Sequence, residues 1–90
     1  MYTVYILRCA DETLYTGITT DVERRVGEHN HSAVGARYTR GRRPVILLWS
    51  RIFSNRSLAL REEARIKALS RSQKEYLIRF LGRENESHVY

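Results

Sequence analysis

An α+β fold is what this chain predicts, and three stretches predict it. "VYILRCADETLYTG", residues 4 to 17, places two short apolar runs around a polar turn, the pattern of a β-hairpin. "TTDVERRVGEHN" opens with the S/T-x-x-E signature of a helix start, formed by Thr20 and Glu23. "VILLWSRIF" follows Pro44 and is rich in β-branched, aromatic and aliphatic residues, as a strand requires.

The elements follow in order. Residues 3 to 9 and 14 to 19 form the hairpin strands around the turn Ala10-Asp11-Glu12-Thr13. Tyr5 and Tyr15 stand near corresponding places on them, and tyrosine is both a good strand former and a good cross-strand packer. In the first helix Asp21 and Glu23 suit the positive end of the dipole, while Val22, Val26 and His29 share one face. "SAVGARYTRGRRP" is a glycine-punctuated loop that Pro44 ends. The continuous apolar run of the third strand predicts cover on both faces. A long helix is expected over residues 57 to 69. A second capping box, Ser72 to Glu75, opens a last helix that ends near Gly82, a good C′ residue. Residues 1 to 82 read as one domain and 83 to 90 as a polar tail.

Composition narrows the function. Ninety residues bury only about 60–65% of the unfolded surface, so idle polar groups inside are unaffordable. Cys9 is alone, which rules out an intrachain disulfide and a cysteine-based zinc site, and its apolar run predicts a buried small hydrophobe. No stretch is long enough to span a bilayer and no signal peptide opens the chain, so a cytoplasmic location is expected. Net charge is +6 and the pI near 10, which favours a polyanion, nucleic acid before acidic membrane. Lys67 and Lys74 are the only lysines among the 16 basic residues, and arginine's planar fork suits bidentate phosphate contact.

Walker-type glycine loops, G-x-G-x-x-G, H-E-x-x-H and G-x-S-x-G are all absent. Polar residues on ordered elements remain. Gly17 faces the same side as Tyr15 and would leave an open spot beside its phenol. Arg25 and His29 are i, i+4 on one helix face. Glu62 and Glu63 both sit among apolar neighbours, and periodicity does not choose between them. Taken singly, each has an ordinary structural explanation.

The ordered set "TVYIL…LYTG…ERRVGEHN…GARYTRGRRP…SLALREEARIK" resembles the GIY-YIG nuclease domain over about residues 3 to 80. The first motif falls on Thr3-Val4-Tyr5 and the second on Tyr15-Thr16-Gly17; Thr3 and Thr16 depart from the usual residues. The family arginine, four residues before a histidine, falls on Arg25 with His29, and the family glutamate on Glu63. The small stand-alone bacterial members are the nearest likeness, with further similarity to the catalytic subunit of structure-specific junction nucleases. The resemblance implies a three-stranded antiparallel sheet flanked by helices, and hydrolysis of DNA phosphodiester bonds with one Mg²⁺ or Mn²⁺ on Glu63. It makes Tyr5 the expected general base, Arg25 the group that lowers the Tyr5 pKa and stabilises the transition state, and Tyr15 and His29 the groups that orient water or phosphate. DNA repair or recombination is the expected setting, on branched or single-stranded DNA, with a protein partner able to supply targeting.

Arg37, Tyr38, Arg40, Arg42 and Arg43 form a separate expectation: a phosphate-contacting arm with Tyr38 for base stacking. A non-catalytic nucleic-acid-binding module on the same fold is the alternative, and a solvated basic loop is the plainest reading of the arm.

Overall fold

The computed structural model describes residues 1–32 and 37–81. The hairpin forms as expected from β1 (Tyr2–Arg8) and β2 (Leu14–Thr19). It leads into α1 (Val22–His31), a short α2 (Arg37–Arg40), β3 (Ile46–Phe53), α3 (Arg56–Lys67) and α4 (Arg71–Tyr76), which runs on as a π-helical turn at Leu77–Leu81. The sheet order is β2-β1-β3, with both pairings antiparallel. The architecture is therefore α+β, a three-stranded antiparallel sheet with helices on it. Gly82 and the tail lie outside the described residues.

The hairpin closes where Asp11 accepts from the Thr13 backbone N–H at 3.1 Å and its hydroxyl at 2.6 Å, an Asx turn. Glu12 takes the left-handed backbone that this turn needs, with φ 71°. β1 becomes the middle strand and its alternation feeds two cores. Val4 and Ile6 join Trp49, Ala59, Ile66 and Leu77 on the α3 side. Tyr5, Leu7 and Cys9 join Val45 on the other side, where Val22 and Val26 of α1 cover them. Cys9 is buried, as its setting predicts.

Four local expectations are corrected. β3 is an edge strand and is not covered on both faces: Ile46 is 50% and Ile52 61% exposed. Its apolar run signals a strand, but β1 takes the central place because it pairs with both others. The N-cap of α1 is Asp21, which accepts from Arg24 N–H at 3.1 Å, and Thr20 is not the cap. The cap of α4 lies two residues before the expected one: Ser70 and Gln73 make the reciprocal capping box, and Ser72 and Glu75 are already inside the helix. The basic segment is part helix, because Arg37–Arg40 forms one turn. The long helix starts at its Asn55 cap, close to the expected position.

Two contacts fix α1 against the start of β3. Asn30 accepts from Val45 N–H at 2.7 Å and donates to Val45 C=O at 3.1 Å. Arg43 donates to the carbonyls of His29 and Ser32, both at 2.5 Å, satisfying the end of the helix. His29 is held in place by both ends of this arrangement.

Candidate active site

Tyr5 leaves β1 on the α1 side, directly opposite Gly17 in the sheet register. A Cβ built on Gly17 would stand 2.5 Å from the Tyr5 hydroxyl and 2.6 Å from Cζ. The sequence predicts an open spot beside Gly17; the Tyr5 phenol fills it. Only glycine lets that ring lie across the neighbouring strand. Tyr15, opposite Leu7, is a diagonal neighbour with ring centroids 6.3 Å from Tyr5.

Around this phenol the structure gathers the α1 pair. The Tyr5 hydroxyl lies 2.9 Å from His29 Nε2, and the Arg25 guanidinium is near enough to favour the phenolate. Arg25 donates in turn to Glu28 at 2.9 Å. His29 Nδ1 lies 2.8 Å from the Thr39 hydroxyl of α2, and both residues are completely buried. Tyr5 and Tyr15 each meet the imidazole edge-on, at 5.9 and 5.2 Å.

Burial dominates the electrostatics. It pushes the Tyr5 phenol up to about 12; the Tyr15 and Glu63 charges add to this, and Arg25 opposes it through its hydrogen bond and charge. The expected lowering by Arg25 is present but outweighed. Burial also takes His29 down to about 4, reinforced by Arg25 and Arg43 and opposed by Glu28. At neutral pH the pair is a neutral phenol on a neutral imidazole. Arg25 itself is held above its ordinary value: burial works against its charge, but Glu28 and Tyr5 more than offset it.

The two glutamates of α3 part company here. Glu63 is mostly buried, is 3.3 Å from Lys67, and its charge reaches the Tyr5 phenol. Glu62 is held in a two-point pair with Arg65 at 2.7 and 2.8 Å, which keeps its carboxyl below the usual range, and it feels Arg51 of β3. Among the described residues no three His, Cys, Asp or Glu side chains cluster as a metal cage. A single carboxylate such as Glu63 fits a hard ion that keeps most of its waters, as Mg²⁺ does.

The basic segment divides. Arg37, Tyr38 and Arg40 are exposed. Arg42 pairs with Asp11 at 2.9 Å, donates to Tyr38 C=O at 2.7 Å and lies over the Tyr38 ring at 4.1 Å. Tyr38 also stacks on Tyr15, with centroids 5.8 Å apart. Its ring is therefore engaged within the protein, and Arg43 is engaged at the end of α1. Sequence reasoning missed Thr39, Glu28 and Asp11. Glu28 had a signal, its i, i+3 spacing from Arg25. Thr39 had none, since nothing in a loop threonine announces a histidine ten residues earlier.

A tyrosine hairpin and an arginine–histidine helix meeting over one phenol define the class, and the chain matches the GIY-YIG catalytic domain over residues 1–76. It belongs to the GIY-YIG family. A UPF0213 protein of Halobacterium salinarum is 57% identical over 77 residues, covering 86% of this chain and 99% of that relative. The solution structure of a UPF0213 protein from Bacillus halodurans is 47% identical, with a TM-score of 0.60 over 91% of this chain and 87% of that one. A solution structure from E. faecalis is 41% identical, with a TM-score of 0.62 over 89% and 84%. These relatives are small stand-alone proteins of the family, and a GIY-YIG domain points to a nuclease.

Proposed function

We propose that the protein is a metal-dependent endonuclease that hydrolyses DNA phosphodiester bonds, with residues 1–82 as the catalytic unit, acting in the cytoplasm in repair or recombination. The observation that carries this reading is that Tyr5, Arg25 and His29 share one buried hydrogen-bonded cluster within reach of the Glu63 charge.

Tyr5 takes the proton of the attacking water. A free phenolate is scarce when burial holds the phenol near 12, so the hydroxyl acts as a relay, accepting from water as it donates to His29 Nε2. His29 is a weak acceptor in the free protein, partly because Arg25 and Arg43 face it. A DNA phosphate paired with Arg25 offsets one of those charges and makes the imidazole a better acceptor. Arg25, whose charge already reaches the phenol, stabilises charge that builds on the phosphorus-bound oxygens. Tyr15 holds the imidazole edge and orients the phosphate. Glu63 would hold Mg²⁺ or Mn²⁺, which when bound polarises the scissile phosphate and neutralises the leaving oxygen.

The test is cleavage of a panel of branched, flapped, nicked and single-stranded DNAs, with and without Mg²⁺. Glu63→Gln should abolish cleavage while the domain stays folded, and Glu62→Gln should keep most of it. Tyr5→Phe should lower the rate roughly 10²–10⁴-fold, the usual worth of a positioned base. Binding without cleavage by the wild type on every DNA would make the protein a binding module.

A further inference from the structure

We infer that Thr39 is a positioning residue that sets the tautomer of His29, placing its one proton on Nδ1 and leaving Nε2 bare to receive the Tyr5 proton. The inference deepens the hydrolytic reading of Tyr5 and rests on it for its meaning in turnover.

The donor and acceptor count around the phenol carries it. Arginine can only donate, so the Arg25 guanidinium near the phenol turns the lone pairs of the Tyr5 oxygen towards itself and the O–H away. The phenol O–H, 1% exposed, then needs an acceptor, and His29 Nε2 at 2.9 Å provides one. A neutral imidazole has one N–H, which must then be on Nδ1, and the Thr39 hydroxyl at 2.8 Å receives it. Contacts on both sides hold the ring in this place: Tyr15 and Tyr5 meet the imidazole edge-on, and Arg43 ties the His29 carbonyl. With Thr39 0% exposed, water cannot stand in for the hydroxyl.

Remove that hydroxyl and a buried Nδ1–H has no acceptor, an arrangement proteins avoid. The ring would then move its proton to Nε2 and donate to the Tyr5 oxygen, because the phenol O–H can rotate towards another acceptor and the ring N–H cannot. The phenol would lose His29 as its acceptor and the relay would stop. Thr39 touches neither DNA nor the reacting atoms, so its effect must run through the imidazole.

The experiment uses Thr39→Val, which keeps the shape without the hydroxyl, and Thr39→Ser, which restores it. Nitrogen-15 NMR of labelled histidine reads the tautomer in the DNA-free protein. Wild type and Thr39→Ser should show His29 protonated on Nδ1, and Thr39→Val should move the proton to Nε2. In the cleavage assay Thr39→Val should lower kcat roughly tenfold to a hundredfold with KM nearly unchanged, and Thr39→Ser should recover most of it. A wild type protonated on Nε2, or a Thr39→Val protein with the wild-type tautomer, overturns the inference. So does an unchanged kcat in a variant whose tautomer has moved. If the wild type cleaves no DNA, the proposed hydrolysis fails, and the tautomer measurement still decides the role of Thr39.

Discussion

Gly17 is the residue where a missing side chain has the clearest consequence. Alanine there would set a methyl 2.5 Å from the Tyr5 hydroxyl and 3.1 Å from Tyr15 Cε2. The phenol cannot swing aside without leaving His29 and Arg25. Gly17→Ala should therefore cost about 1–3 kcal/mol, as overpacking does, and should lower cleavage more than tenfold at permissive temperature. Thermal melts and single-turnover cleavage check the two effects separately. His29 gives a pH signature. Its pKa is about 4 in the folded protein and about 6.5 when free, so the unfolded chain binds the extra proton between those values. Its contribution is fully present above pH 6.5 and is lost as pH falls towards 4, by up to about 3 kcal/mol. Melting curves from pH 7 to pH 4 should fall more steeply for the wild type than for His29→Asn; parallel curves would mean that the buried imidazole is not the titrating group.

At the scale of elements, α1 depends on a residue from outside itself. Arg43 donates to the carbonyls of His29 and Ser32, and Arg42 spans the Asp11 turn and Tyr38. These two arginines read in the sequence as phosphate contacts, yet both are engaged in holding elements together. Arg43→Ala removes two hydrogen bonds to partly buried carbonyls and should cost about 1–3 kcal/mol, a fall in Tm of several degrees for a domain of this size. Arg37→Ala, on the exposed turn of α2, should leave Tm within about a degree or two. Calorimetry of the two variants makes the comparison, and equal melting points would show that the bond to the α1 terminus contributes little.

The whole molecule carries +6, and that charge is where DNA affinity should show its salt dependence. Arg37 and Arg40 are the exposed arginines of the basic segment, so replacing both with alanine should flatten the slope of log affinity against log salt by about 1–2 units. Turnover at saturating DNA should change far less, because such contacts position the strand. A salt titration of duplex binding in metal-free protein checks this, and superimposable slopes would place the DNA on another surface. Among the described residues no helix is long and apolar enough to cross a membrane.

How much of this was legible in the chain depends on how local the cause was. Alternation around a polar turn determined the hairpin, and the i, i+4 spacing put Arg25 and His29 on one face, because periodicity is a property of neighbours. The order of motifs was enough to name the family. Caps moved by a residue or two, since Asp21 and Thr20, or Ser70 and Ser72, offer similar oxygens and only backbone geometry chooses between them. What the tertiary structure alone decided is long-range: that β1 lies between β2 and β3 and so leaves an apolar β3 at the edge, that the Tyr5 phenol fills the space above Gly17, and that Thr39 meets His29. It also decided that burial outweighs Arg25 at Tyr5, because desolvation sums over every atom that excludes water and no stretch of sequence contains that sum.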